Sequence, residues 1–118
     1  MTKSSRIKHS LHYAFRGIAY AWKSQFNFKI EIILALFVMA MGVGFRISGM
    51  EWLIVALLIG LVLSLELLNT AVELLCDLYS KSYHPIIKWI KDVAAGAVLV
   101  ASIAAIVIGC IIFIPRIF

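Results

Sequence analysis

The chain has 118 residues, 64% of them hydrophobic, and its mean hydropathy is +1.04. A composition this apolar excludes an ordinary soluble domain and predicts an integral membrane protein. The formal net charge is +5 at pH 7. Basic residues attract anionic lipids at a membrane surface, which explains this charge without nucleic acid as a partner.

The first predicted element is an amphipathic helix over residues 4–24. Its apolar residues recur every three or four positions, with basic residues between them. These apolar residues are Ile7, Leu11, Phe15, Ile18 and Trp22. A helix with this pattern lies in the membrane interface and does not cross the bilayer.

Three membrane-spanning helices are predicted next, over residues 30–50, 52–76 and 93–114. Each has roughly the 20 mostly apolar residues that a span requires. The third is uncharged throughout, whereas Glu31 and Arg46 shorten the apolar part of the first. The predicted fold class is therefore an all-α membrane protein with one interfacial helix and three transmembrane helices. Three helices enclose little core, so we expect several subunits to assemble.

The basic residues predict the orientation, because they concentrate on the cytoplasmic side of membrane proteins. Nine of the eleven precede the first span or lie between the second and third: Lys3, Arg6, Lys8, Arg16, Lys23, Lys29, Lys81, Lys88 and Lys91. Arg46 and Arg116 fall on the other side. The N-terminus and the loop after the second span are therefore predicted to be cytoplasmic.

Two glutamates, Glu66 and Glu73, lie within the second predicted span. A charged side chain at this depth costs at least ~2.5 kcal/mol, which favours a functional role. Positions seven apart share one face of a helix, and Asn69, Thr70 and Asp77 extend the same stripe. Mg²⁺ prefers such oxygen ligands together with substrate phosphates. The alternative is that these groups only form hydrogen bonds to neighbouring helices.

The loop over residues 79–91 adds a second candidate feature. Pro85 suits the first turn of a helix, with Ser82 or His84 at its start. Free backbone N–H groups there, with Lys88 or Lys91 nearby, would bind phosphate. Short polar loops with a lysine are common, so this feature gains weight only beside the carboxylate stripe.

Stripe and loop together form a longer motif. It reads Glu66-Leu-Leu-Asn69-Thr70-Ala-Val-Glu73-Leu-Leu-Cys-Asp77, then Tyr83-His84, then Lys91-Asp92-Val-Ala-Ala-Gly-Ala-Val-Leu. This motif resembles the signature of the small prokaryotic diacylglycerol kinase family, which includes the undecaprenol kinases. The resemblance covers nearly the whole chain, including Arg6, Tyr13 and Gly17 near its start.

The resemblance implies an ATP- and Mg²⁺-dependent lipid kinase of the bacterial cytoplasmic membrane. It also implies a homotrimer whose active sites are shared between subunits. Glu66 matches the catalytic base of the family, and Glu73 matches a carboxylate at the metal and nucleotide site. The matching ATP-binding positions are Arg6, Tyr13, Glu73, Tyr83, His84, Lys91 and Asp92, with Asn69 and Asp77 as further site positions.

One position departs from the family pattern. The family often has a second metal-binding glutamate just before the Asn-Phe pair that opens the first span, and here Gln25 precedes Asn27-Phe28. Glutamine offers a neutral carbonyl oxygen but no charge. Glu31 is no obvious replacement, because six residues place it about 240° around a helix.

The residues allow a simple division of roles in phosphoryl transfer, which needs metal, positive charge and a base. Glu73 would hold Mg²⁺, Lys91 would neutralise phosphate, and Glu66 would take the proton of a lipid hydroxyl. The resemblance favours diacylglycerol as the lipid, with undecaprenol as the alternative.

Two other classes stay open at this point. In a proton-coupled transporter Glu66 would carry the proton, although the acids cluster at one membrane face and no inverted repeat is visible. The third class is a non-catalytic assembly subunit.

Overall fold

The computed structural model describes residues 2–118 and contains four helices. They are α1 (Lys3–Ser24), α2 (Phe26–Gly44), α3 (Gly49–Tyr79) and α4 (Pro85–Ile117). The last three are long and apolar enough to cross a membrane. The predicted all-α fold with three spans is therefore confirmed.

Helix α1 extends away from the rest of the chain. It begins after Thr2, whose hydroxyl accepts a hydrogen bond from the backbone N–H of Ser5 at 3.1 Å. It ends because Gln25 has an extended backbone (φ −115°, ψ 108°), which starts a new helix direction. Ala21 is its one buried residue. The apolar face predicted from sequence is exposed, with Phe15 68% accessible, as contact with lipid requires.

Helix α2 has 19 residues, which corresponds to about 29 Å. The predicted span of 30–50 is wrong at its C-terminal end, because the helix stops at Gly44. Arg46 has a φ of 54°, a left-handed conformation that interrupts a right-handed helix. Ser48 then starts α3 through a capping box with Glu51, so residues 49 and 50 belong to the next helix.

The hairpin between α2 and α3 depends on one glycine. A Cβ atom at Gly42 would lie 2.7 Å from the indole of Trp52 on α3 and 3.1 Å from the side chain of Ile47. Only glycine permits this approach without a shift of the indole. Ile47 itself is buried with Val55 of α3, in a small apolar cluster that fixes this end of the molecule.

Helices α3 and α4 share the largest packing surface. Ile112 and Phe113 of α4 join the apolar cluster at the start of α3. Beside it, Arg116 donates two hydrogen bonds to the carboxylate of Glu51, at 2.7 and 3.0 Å. Arg116 also donates to the carbonyl of Ile112 at 2.6 Å, so it ties the end of α4 to the start of α3.

Helix α3 is the central element, since α2 and α4 both pack against it. In the described part of the chain, no Cα atom of α2 lies within 8 Å of one in α4. Two hollows therefore open between α2 and α4, with α3 as their floor. The molecule measures 51 × 45 × 21 Å, a flat shape that leaves most apolar side chains accessible to lipid or to another subunit.

Candidate active site

The polar stripe predicted from the sequence lies on α3 as one continuous series. Glu66 and Thr70 are each only 5% exposed, whereas the side chain of Asp77 is 45% exposed. The hydroxyl of Thr70 donates to the backbone carbonyl of Glu66 at 3.0 Å, which occupies the Thr70 side chain within its own helix. The stripe thus begins in a buried environment and ends in an open one.

Glu66 lines a polar cavity of about 350 Å³ between α2, α3 and α4. Asn69 lies on the same wall of this cavity, and its side-chain oxygen is buried without a hydrogen-bond partner. A buried amide oxygen without a partner costs free energy, so the site retains an acceptor for a ligand, an ion or water. The cavity therefore places a carboxylate and a free amide oxygen side by side.

Gln25 and Glu73 are neighbours in space, although 48 residues separate them in the chain. The amide Nε2 of Gln25 donates to Oε2 of Glu73 at 3.4 Å. Gln25 can occupy this position because it joins α1 to α2 in an extended conformation. The structure thus brings together the two residues that the sequence assigned to a metal.

These residues fit a magnesium ion that takes most of its ligands from elsewhere. In residues 2–118, no group of three or more His, Cys, Asp or Glu side chains could hold a metal. Glu73 could supply one carboxylate, and the neighbouring amide of Gln25 could supply a neutral oxygen. Mg²⁺ is commonly held by one or two carboxylates together with phosphates and water, so this donor set is sufficient beside a nucleotide.

Two ion pairs lie near the exposed end of the stripe. Lys91 of α4 donates to Asp77 of α3 at 2.8 Å across the loop. Lys88 donates to Asp92 at 2.6 Å, one turn along α4. Both pairs are about half exposed, so each contributes little stability and each lysine can exchange its carboxylate for phosphate.

The start of α4 follows the sequence prediction closely. His84 is the N-cap residue and Pro85 is the first helical residue. The Nδ1 atom of His84 accepts from the backbone N–H of Ile86 at 3.2 Å, and its ring meets that of Tyr79 edge-on at 6.2 Å. Tyr83 is 79% exposed, so it is free to contact a ligand from solvent.

Two predicted site residues lie apart from the others. Arg6 and Tyr13 are exposed on α1, whose C-terminal end is the part that reaches Glu73 through Gln25. At 1.5 Å per residue, Arg6 is about 28 Å and Tyr13 about 18 Å from Gln25 along the helix. Within one chain, therefore, these two side chains are not gathered around Glu73.

Three polar residues outside the sequence assignment share the cavity with Glu66. They are Asn27 and Glu31 of α2 and Ser102 of α4. A carboxylate within a membrane span was a visible signal for Glu31. Asn27 and Ser102 carried no such signal, because single amides and hydroxyls are ordinary in membrane helices.

Comparison with known proteins identifies the family to which this chain belongs. The sequence model of the prokaryotic diacylglycerol kinase family matches residues 12–113, which include the whole stripe and the start of α4. The chain belongs to the prokaryotic diacylglycerol kinase family. The resemblance noted from the sequence is confirmed.

Individual kinases of this family resemble the chain over most of its length. An undecaprenol kinase of Bacillus subtilis is 41% identical over 112 residues, covering 95% of this chain and 91% of that protein. A diacylglycerol kinase of Synechocystis is 40% identical over 107 residues, covering 90% of this chain and 61% of that longer protein. A diacylglycerol kinase of Escherichia coli K12 is 27% identical over 111 residues, covering 94% and 91%.

Proposed function

We propose that this protein is a lipid kinase that transfers the γ-phosphate of ATP to the hydroxyl of a membrane lipid. Family membership supports the reaction class, since the similar proteins are named as diacylglycerol or undecaprenol kinases. The observation that carries the proposal is the α3 stripe, with buried Glu66 at one end and the exposed pair of Asp77 and Lys91 at the other. A lipid alcohol and a nucleotide can meet along such a stripe.

Glu66 is the proposed base. Its carboxylate takes the proton of the lipid hydroxyl, while the hydroxyl oxygen bonds to the γ-phosphorus of ATP. The bond from that phosphorus to the bridging oxygen breaks, and ADP leaves. A base in this role contributes about 10²- to 10⁴-fold to the rate. The amide oxygen of Asn69 can accept a hydrogen bond beside the reacting groups.

Glu73, assisted by Gln25, is proposed to hold Mg²⁺ against the phosphates of ATP. Bound there, the ion would neutralise charge on the phosphates. Lys91 is proposed to exchange Asp77 for phosphate, with Asp92, His84 and Tyr83 around the nucleotide. This arrangement is supported by the proximity of Gln25 and Glu73 and by the exposure of the Lys91 ion pair.

The active assembly is proposed to be a homotrimer with shared sites. The distance of Arg6 and Tyr13 from Glu73 of their own chain supports this, because a neighbouring subunit could present its own α1 to the nucleotide. The proposed location is the bacterial cytoplasmic membrane, with the N-terminus and residues 80–84 facing the cytoplasm. The single-domain unit spans residues 1–118.

Purified protein in mixed detergent and lipid micelles tests the function directly. Radiolabelled ATP and Mg²⁺ are supplied with dioleoylglycerol or with undecaprenol, and labelled lipid is extracted. We expect Mg²⁺-dependent labelling, with dioleoylglycerol the better substrate. Absence of labelled lipid with either alcohol would contradict the proposal.

A further inference from the structure

Glu31 is an acidic residue that the proposed mechanism leaves unused. It lies on α2 within a membrane-spanning helix, and in residues 2–118 its carboxyl group has neither a hydrogen bond nor an ion pair. A carboxyl group at this depth is expensive unless it has a partner, so its presence indicates a task. The residues around Glu31 indicate this task.

Glu31 and Ser102 stand where two hollows meet. Both line the polar cavity that contains Glu66, and both also line an adjoining apolar cleft of about 410 Å³ between the same helices. Glu66 and Asn69 of α3 form one wall of the polar cavity, while Glu31 of α2 and Ser102 of α4 face it from the neighbouring helices. A lipid headgroup at Glu66 would therefore have polar groups on several sides.

We propose that Glu31 and Ser102 are specificity-determining residues that bind the headgroup of the lipid alcohol and select a glyceride over a polyprenol. This inference rests on the lipid kinase function proposed above. It concerns which alcohol the cavity prefers, so it can fail while the kinase function stands.

The two alcohols differ in the groups next to their hydroxyl, and this difference is what the cavity can recognise. Both have the hydroxyl that Glu66 needs, but only the glyceride has ester oxygens next to it. The hydroxyl of Ser102 can donate to an ester oxygen. The carboxyl group of Glu31 can accept from a hydroxyl when ionised or donate to an ester when protonated.

A polyprenol brings only hydrocarbon to these positions. Its entry would remove water from Glu31 and Ser102 and leave them without partners. Sites built with hydrogen-bonding groups reject analogues that lack the matching atoms for this reason. Each lost hydrogen bond corresponds to about three- to tenfold in selectivity.

The test is a competition between dioleoylglycerol and undecaprenol in mixed micelles. The measured quantity is the ratio of kcat/KM for the glyceride to that for the polyprenol. We expect this ratio to favour the glyceride in the unaltered protein, to fall about tenfold in Glu31→Leu and to fall about threefold in Ser102→Ala. In Glu31→Gln we expect most of the preference to remain, since an amide both donates and accepts.

Ser64→Ala is the matched control for Ser102→Ala. Ser64 lies on α3, is exposed and lines neither hollow, so the ratio should stay unchanged. A preference for undecaprenol in the unaltered protein, or an unchanged ratio in both Glu31→Leu and Ser102→Ala, would overturn the inference. Failure to label either lipid would instead overturn the proposed kinase function.

Discussion

Gln25 donates a hydrogen bond to Glu73 at 3.4 Å, and this contact joins the junction of α1 and α2 to the polar stripe of α3. The neutral amide donates to the carboxylate of Glu73 without adding a second negative charge. A second carboxylate would be repelled by the first until a cation came between them. The side chain at position 25 is therefore expected to set how strongly the site depends on a divalent ion.

The variant Gln25→Glu tests this expectation. We expect it to lower the Mg²⁺ concentration for half-maximal kinase activity, because an anionic ligand replaces a neutral one. Mg²⁺ with a non-hydrolysable ATP analogue should also raise the unfolding temperature more in this variant than in the unaltered protein. Glu73→Gln is expected to need far more Mg²⁺ or to be inactive. An unchanged Mg²⁺ requirement in Gln25→Glu would remove position 25 from the metal site.

Glu66→Gln is expected to reduce kcat by about 10²- to 10⁴-fold, because the amide keeps the size of the side chain but cannot take a proton. Nucleotide binding and oligomeric size should be retained, which fluorescence titration and light scattering would check. Glu51→Gln is the matched control, since it makes the same chemical change on the same helix. It should lower the unfolding temperature through its contact with Arg116 and leave kcat near normal. Near-normal turnover in Glu66→Gln would reassign Glu66 to a structural role.

Lys91→Ala is expected to raise the KM for ATP by about 10- to 100-fold, the range expected when a charge-assisted hydrogen bond is lost. The KM for the lipid should change little, because Lys91 lies at the exposed end of the stripe. Lys81→Ala removes the same charge from the loop between α3 and α4. It should change the KM for ATP by less than about twofold. Equal effects of the two variants would show that only the general positive charge of this surface matters.

The proposed orientation is tested by thiol labelling in intact cells. Cys76 and Cys110 are first replaced by alanine, and the kinase activity of that background confirms its fold. A single cysteine is then placed at Gly49, the first residue of α3, or at Ser82, in the connection after the other end of α3. A membrane-impermeant reagent should label the first and not the second, because basic residues flank the second. The reverse labelling pattern would place the residues proposed to bind ATP outside the cell, which would contradict the proposed site.

Much of this architecture could be predicted because it is local in the chain. The α3 stripe follows from helix periodicity alone, and His84-Pro85 is a helix start that needs no tertiary information. The end of α2 was missed because Arg46 was counted inside a span, whereas it forms a left-handed turn. Apolar composition does not distinguish a continuous helix from one that ends in a short apolar turn.

Contacts between helices could not be predicted in the same way. Asp77 and Lys91 are 14 residues apart, and their contact depends on how the loop returns α4 to α3. Ser102 and Glu31 line the same cavity because α2 and α4 both pack against α3. Such relationships depend on packing angles and side-chain volume, which are properties of the assembled helices and not of any single segment.

The ion pair of Glu51 and Arg116 indicates how deep in the bilayer the two glutamates of the α3 stripe lie. Charged side chains such as these lie at one edge of the hydrocarbon core of the bilayer, which is about 30 Å thick. Measured from Glu51 along α3, Glu66 lies at about 23 Å and Glu73 at about 33 Å. The opposite edge of the hydrocarbon therefore passes between the two glutamates. In the proposed mechanism, a lipid would therefore bring its hydroxyl to Glu66 from within the bilayer, while the triphosphate of ATP would remain among the lipid headgroups.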